Sequence, residues 1–173
     1  MKRFALIAMT LSLAVPALVS AKTTKTVTMP EAVQHQLAML PRYGVFDELA
    51  FQIDGGTVTL TGEVSRPIVK DDAVKAVSHV EGVTAVVDRI EVLPLSPDDD
   101  RIRIAVYRAI YGAPSLSSRY GFSASPAIRI IVKNGVVRLE GVVANQADRT
   151  IAGMRANGVF GAFEVENDLK VGA

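Results

Sequence analysis

Residues 51–64 read FQIDGGTVTLTGEV, and residues 130–143 read IIVKNGVVRLEGVV. After the glycine turn of each segment, valine and leucine recur at every second residue. That is the period of a β-strand, in which successive side chains point to opposite faces. Asn134-Gly135 is the dipeptide most typical of a two-residue β-hairpin, because both turn residues adopt positive φ. Each segment is therefore predicted to form a β-hairpin.

The two hairpins belong to an internal repeat. A shift of 79 residues aligns residues 51–92 with 130–171 without a gap, and ten of the 42 aligned positions are identical. Five of these identities follow one another at every second residue, so they share one face of a strand, where a common core requires them. The glycines that recur in both copies form three pairs: Gly56 and Gly135, Gly62 and Gly141, and Gly82 and Gly161.

Helices are predicted on both sides of each hairpin. Thr28-Met29-Pro30-Glu31 has the form of a capping box with proline in the first turn, and Ser96-Pro97-Asp98-Asp99 is expected to start the equivalent helix. The remaining predicted elements are a second helix, over about 66–79 and about 145–157, and a last strand, over 84–92 and 163–171.

This order of elements predicts an α+β protein made of two tandem α-β-β-α-β domains. The first domain is predicted over residues 28–93 and the second over residues 98–173, with residues 94–97 as the linker. A unit of about 70 residues buries little core on its own. We therefore expect the two copies to pack against each other.

Residues 1–21 are predicted to be a signal peptide that is cleaved after Ala21. Lys2 and Arg3 precede an almost wholly apolar run, residues 4–19, and small residues follow it. The alternative is an uncleaved membrane anchor, but the run is shorter than the ~20 residues that a membrane-spanning helix requires. Export is the expected outcome.

Composition excludes several classes of function. The chain has no cysteine, so disulfides, thiolate metal sites and a cysteine nucleophile are absent. Its formal net charge is only +1, so no overall field attracts nucleic acid. The charge is uneven, because acidic residues outnumber basic ones in residues 22–93 and the balance reverses in residues 101–173.

The pattern G-x-V-x-L-x-G-x-V, then a helix with a small residue, then a glycine before a last apolar strand, resembles the BON domain. The residues that carry it in the first copy are Gly56, Val58, Leu60, Gly62, Val64, Ala73, Gly82, Val83, Val86 and Ile90. Those in the second copy are Gly135, Val137, Leu139, Gly141, Val143, Ala152, Gly161, Val165 and Leu169. The second copy departs from the pattern at Gly153, which interrupts its second helix at a cost of ~1 kcal/mol relative to alanine.

The resemblance implies, for each copy, a three-stranded mixed sheet with two helices packed on one face. It also implies a non-catalytic role at the bacterial envelope, with phospholipid binding and protection against osmotic stress as the functions discussed for the family. A periplasmic location fits the predicted signal peptide. The family has no catalytic residues to transfer to this sequence.

The sequence favours neither an enzyme nor a metal or cofactor site. His35 and His79 lie at unrelated positions in the two copies, and no H-E-x-x-H, G-x-S-x-G or P-loop pattern occurs. The acidic run Asp98-Asp99-Asp100 lacks the spacing of a calcium loop and is expected to cap a helix. Gly62 and Gly141 could line a ligand groove, but bends in a strand are the expected explanation.

The best candidate for a functional surface is the helix predicted over residues 101–111. Its buried stripe is expected to consist of Ile102, Val106, Ala109 and Ile110. The remaining face offers basic and aromatic side chains beside Ile104, namely Arg101, Arg103, Tyr107, Arg108 and Tyr111. Basic groups bind anionic headgroups and tyrosines suit the membrane interface, so the predicted partner is an anionic phospholipid surface.

Two alternatives to this lipid site remain open. The basic face can be merely solvated, with the tyrosines packed on the first domain. The chain can also be a periplasmic adaptor that docks an envelope protein through a sheet face or edge, without direct lipid contact.

Overall fold

The computed structural model describes residues 27–122 and 126–172 of the 173-residue chain. The predicted signal peptide, residues 1–21, lies outside the described residues. The first domain contains α1 (Met29–Ala38), β1 (Glu48–Asp54), β2 (Thr57–Val64), α2 (Pro67–Ser78) and β3 (Ala85–Val92). Its sheet has the order β1-β2-β3, with β1 and β2 antiparallel and β2 and β3 parallel.

The second domain repeats this architecture with additions. It contains α3 (Pro97–Tyr111), α4 (Pro114–Tyr120), β4 (Ile128–Lys133), β5 (Val136–Val143), α5 (Gln146–Asn157), β6 (Glu164–Asn167) and β7 (Lys170–Val171). β4 and β5 are antiparallel, and β6 and β7 both run parallel to β5. The predicted α+β fold of two tandem domains is confirmed.

The helix starts follow the predicted capping residues. The Glu31 carboxylate accepts a hydrogen bond from the Thr28 backbone N–H at 2.9 Å, and the Ser96 hydroxyl accepts one from the Asp99 N–H at 3.2 Å. Both hairpins close as predicted, and Asn134 and Gly135 have φ of 54° and 78°.

The helix α4 was not predicted. Pro114 lies in its first turn, and Leu116 and Tyr120 are buried against the second core. These two side chains are four residues apart, a spacing that a single helical turn places on one face. The segment between α3 and β4 is therefore helical because its two large side chains reach the core together.

The last strand of the second domain is divided into β6 and β7. Asn167 is the last residue of β6, and its side-chain amide donates to the Arg149 carbonyl of α5 at 2.9 Å. Gly153 makes this possible, since a Cβ at that position would lie 2.6 Å from the Asn167 amide nitrogen. The glycine that weakens α5 locally thus allows this strand to be tied to the helix.

Each domain has its own core between the helices and one face of its sheet. In both, the alternating residues of the predicted hairpins are buried, with Val58 and Leu60 matching Val137 and Leu139 at 0% exposure. The opposite sheet faces carry charged residues. The 79-residue repeat therefore describes two equivalent cores.

The two domains pack through an extended loop of the first domain and the open edge of the second sheet. The Val45 carbonyl accepts a hydrogen bond from the Ile130 N–H at 2.8 Å, so the loop lies along edge strand β4. Covering an edge in this way satisfies backbone groups that otherwise favour aggregation. Ile131, which faces away from the second core, is only 2% exposed.

Arg129 holds this loop in place. Its guanidinium forms an ion pair with Glu48 at 2.9 Å and donates to the carbonyls of Gly44 and Asp47, each at 3.0 Å. It also lies over the Tyr43 ring, 4.2 Å from the centroid. One side chain of the second domain thus binds four groups of the first.

Two further ion pairs join the domains, and the charges are arranged in the same way in both. Arg138 pairs with Glu63, and Lys133 pairs with Glu91 at 2.6 Å. In each case the first domain supplies the acid and the second domain the base. The uneven distribution of charge along the sequence is therefore used, in part, to join the two domains.

A buried carboxylate links α4 to α5. Asp148 accepts hydrogen bonds from the Tyr120 hydroxyl at 2.7 Å, the Arg119 guanidinium at 2.6 Å and the Asn145 amide at 3.1 Å. These bonds, that of Tyr120 above all, hold the pKa of the Asp148 carboxyl below its usual range. The ionised carboxylate is thus the form that the folded state prefers.

We expect Asp148→Asn to be destabilised by about 1–3 kcal/mol at neutral pH, since it leaves donors without an acceptor. Because the folded pKa is below the unfolded value of ~3.9, this stabilisation is fully present above that value and is lost as the pH falls through the folded pKa. In urea unfolding between pH 7 and pH 3, the free energies of unfolding of the wild type and of Asp148→Asn should converge at the acid end. A constant difference over that range would contradict the assignment.

Candidate functional site

The helix α3 is fixed at its start by the acidic run. Asp99 is buried, and its two carboxylate oxygens accept hydrogen bonds from the backbone N–H groups of Asn134 and Gly135 at 3.0 and 2.8 Å. Asp98 and Asp100 pair with Arg101 and Arg103. Asp99 is therefore committed to the fold, whereas Asp98 and Asp100 pair with arginines of the same helix; among the described residues no group of three or more acids and histidines could hold a metal ion.

Of the five predicted site residues, three are exposed on α3. Arg101, Tyr107 and Arg108 face solvent, together with Ile104. Residues 101, 104 and 108 follow at intervals of three and four, so they form one stripe along the helix. The exposed pair between Arg101 and Asp98 contributes little to stability, so Arg101 can bind another anion.

Arg103 does not belong to this surface. It is 5% exposed, and its guanidinium donates to the Val132 carbonyl at 2.6 Å and pairs with Asp100. The buried side of α3 is centred on Ile102, Arg103, Val106 and Ile110, whereas Ala109 is only partly buried. Arg103 therefore positions α3 against β4 and is not available to a ligand.

The tyrosines of α3 contact each other and the first domain. The Tyr107 and Tyr111 rings have centroids 4.9 Å apart, and Phe46 of the first-domain loop meets Tyr107 edge-on at 6.2 Å. The Tyr111 hydroxyl donates to the Ile128 carbonyl at 2.7 Å. Tyr111 is thus half-buried, and its hydroxyl is fixed by this hydrogen bond. The Tyr107 ring contacts Phe46 of the first domain and is partly exposed to solvent.

Two phenylalanines extend the exposed stripe beyond the N-terminal end of α3. Phe160 is fully exposed and Phe163 is 86% exposed, in the loop between α5 and β6. Both line a cavity of about 420 Å³ together with Arg101. We call the combined set the basic–aromatic surface; it consists of Arg101, Ile104, Tyr107, Arg108, Phe160 and Phe163.

The two phenylalanines were missed in the sequence, although the repeat contained a signal for them. The 79-residue shift places Glu81 and Thr84 of the first copy at these positions. A polar pair in one copy and an aromatic pair in the other marks a difference between otherwise equivalent loops. Phe163 also lies against the hairpin turn, where its ring leaves no room for a Cβ at Gly135.

The comparison with known families decides the classification. The BON domain matches residues 33–94 and again residues 98–173. The chain belongs to the BON-domain family. Within it, the second BON domain carries the whole basic–aromatic surface, and the first BON domain contributes Phe46 beside it.

The individual proteins that resemble this chain have low sequence identity to it. "Osmotically-inducible protein Y" of Escherichia coli (strain K12) is 28% identical over 130 residues, covering 71% of this chain and 61% of that protein. This chain thus spans about three fifths of the length of that relative. Among solved structures, the C-terminal domain of CdsD, the structural protein of the type III secretion system of Chlamydia trachomatis, is 13% identical with a TM-score of 0.33, covering 86% of this chain and 99% of that one. That score is too low to relate the two folds.

Both histidines of the chain lie in the first BON domain, His35 in the last turn of α1 and His79 at the end of α2. The His79 Nδ1–H donates a hydrogen bond to the Lys75 carbonyl at 2.7 Å, and the side chain is exposed at the end of α2. Within residues 27–122 and 126–172 no helix is long and apolar enough to cross a membrane.

Proposed function

We propose that this chain is a non-catalytic periplasmic protein that binds anionic phospholipid surfaces through its second BON domain, with a role in osmotic or envelope stress. The observation that carries the proposal is the high exposure of Phe160 and Phe163 next to the arginine-bearing face of α3. The stress role is supported by the name of the Escherichia coli relative.

The physical case rests on the composition of the basic–aromatic surface. Large apolar side chains that lie together on a surface mark contact sites, because water solvates them poorly. Aromatic side chains enter the boundary between headgroups and acyl chains, while arginines attract anionic lipid with about 1 kcal/mol each near the membrane. A protein partner is the alternative, but the two exposed arginines favour an anionic surface.

Vesicle co-sedimentation tests the proposal with the mature chain, residues 22–173. We expect binding to vesicles that contain phosphatidylglycerol and little binding to vesicles of phosphatidylcholine alone. The Phe160→Ser/Phe163→Ser variant should bind at least about tenfold more weakly, since partial burial of each ring contributes ~1 kcal/mol or more. Arg101→Gln/Arg108→Gln should lose a similar factor and most of the salt dependence.

The first BON domain supplies a matched control. Val87 and Arg89 are exposed on β3, so Val87→Ser/Arg89→Gln removes one apolar and one basic side chain elsewhere on the molecule. This variant should bind vesicles like the wild type. Equal loss in the control, or full binding by the phenylalanine variant, would contradict the assigned surface. Absence of binding to every vesicle would favour the adaptor role.

A further inference from the structure

A cavity of about 380 Å³ lies where the two BON domains meet. Its walls include Val45 and Phe46 from the first-domain loop, Ile104, Tyr107 and Tyr111 from α3, and Tyr120 at the end of α4. This volume falls within the range of small-molecule sites, about 300–1,000 Å³, and domain junctions are a common place for them. The cavity exists only because the two domains are docked.

The aromatic walls of the cavity are held in position by hydrogen bonds at their far ends. Tyr111 donates to the Ile128 carbonyl, and the Tyr120 hydroxyl donates to Asp148 and accepts from the Ala144 N–H at 2.8 Å. The hydroxyl groups of both residues are therefore engaged outside the cavity. Inside the cavity, the rings of Tyr111 and Tyr120 therefore form apolar walls that are held in fixed positions.

The lining side chains bear no charge, and one cation lies beside them. Arg108 follows Ile104 by four residues and precedes Tyr111 by three, so α3 places it next to two lining side chains. It is exposed, and within residues 27–122 and 126–172 its side chain makes no hydrogen bond or ion pair. An apolar cavity with one unengaged guanidinium at its margin is complementary to an amphiphile with an anionic head.

We propose that this cavity binds the hydrocarbon chain of an anionic amphiphile, with its carboxylate or phosphate head at Arg108. A peptide fits less well, because its buried amide groups need hydrogen-bond partners. Of the three lining tyrosines, Tyr107 is the one whose hydroxyl could supply such a partner. A hydrocarbon chain needs none. The inference rests on the proposed function only for the source of the ligand, since a lipid surface next to Tyr107 would supply it.

Monomeric ligands separate this site from the membrane surface. Decanoate and decyl phosphate, below the concentrations at which they form micelles, are titrated into residues 22–173 by calorimetry. Tyrosine emission gives a second readout, because the chain has no tryptophan and three of its 4 tyrosines line the cavity. We expect saturable binding of one molecule per chain, and roughly fivefold weaker binding in Arg108→Gln for the anions but not for decanol.

Two variants decide the location of the site. Val45→Phe fills the cavity while keeping the Val45 carbonyl bond to Ile130, and it should weaken decanoate binding at least tenfold. Val87→Phe, an exposed substitution of the same kind in the first domain, should have no effect. If Val45→Phe does not fold, Phe46→Ala removes a wall instead and should give the same loss. Unchanged binding in the folded variant, or no saturable binding by the wild type, overturns the proposal.

The outcomes also distinguish this site from the proposed function. Phe160→Ser/Phe163→Ser should lose vesicle binding and keep decanoate binding, whereas Val45→Phe should do the reverse. Vesicle binding without decanoate binding would refute the cavity and leave the membrane surface intact. Decanoate binding without vesicle binding would support the cavity and refute the membrane surface, with free amphiphile as the ligand.

Discussion

Gly141→Ala is expected to lower the free energy of unfolding by about 3–5 kcal/mol, which is comparable to the whole stability of a small domain. Gly141 has φ of 121°, a conformation that residues with a Cβ rarely adopt. A Cβ there would also lie less than 3.0 Å from the Ala127 carbonyl oxygen. Strain in the backbone and collision with a neighbouring strand therefore act together.

The same geometry recurs in the first domain. Gly62 has φ of 119°, and its Cβ would collide with the Glu48 carbonyl in the same way. The space in front of both glycines is thus filled by neighbouring backbone. The two glycines therefore allow the sheet to bend and do not line a ligand groove. Gly62→Ala should be destabilised to a similar extent.

Urea unfolding followed by far-ultraviolet circular dichroism measures these losses. Gly158→Ala is the matched control, because Gly158 has φ of −78° and its Cβ would meet neighbours only at 3.6 and 3.7 Å. That variant should stay within about 0.5 kcal/mol of the wild type. A Gly141→Ala protein as stable as the control would show that the strand relaxes freely at this point.

Arg129→Ala should separate the two BON domains and lower the free energy of unfolding by about 2–4 kcal/mol. The substitution leaves two loop carbonyls without donors and the partly buried Glu48 carboxylate without its cation. It also removes the contact with the Tyr43 ring. The cavity at the domain junction should disappear with the docking, so decanoate binding serves as a second readout.

The Arg129→Ala variant has a distinct pH dependence. Burial raises the pKa of Glu48 above its usual value, and Arg129 opposes this shift. As long as the variant's domains stay docked, the folded pKa of Glu48 rises further without Arg129, so the docked folded state takes up a proton more readily than the unfolded state, whose value is ~4.3. The stability deficit should therefore shrink as the pH falls from 7 towards 5.

Calorimetry tests whether the domains come apart. The wild type should unfold in one transition, and Arg129→Ala should show two, or one at a markedly lower temperature. Arg89→Ala removes an exposed arginine from the first domain and should change neither the number of transitions nor the midpoint by more than ~2 °C. A single unshifted transition in Arg129→Ala would mean that the other contacts suffice for docking.

The hairpins, the helix starts and the recurring glycines were predictable because each depends on neighbours in the sequence. Asn134-Gly135 adopts positive φ in any hairpin of this length, and Ser96 caps a helix whatever packs against it. Arg103 shows where that reasoning ends. Its exposure depends on which stripe of α3 faces β4, and a shift of one position on the helix converts a surface arginine into a buried one.

The sequence by itself determined two tandem domains that share the order α-β-β-α-β, because alternation, turn residues and their repetition are local properties of the chain. The tertiary structure decided which charges join the domains, how the Val45–Phe46 loop meets β4, and that Phe160 and Phe163 stay in solvent. These features depend on contacts between residues far apart in the chain. No local sequence pattern determines which of two similar side chains makes such a contact and which stays exposed.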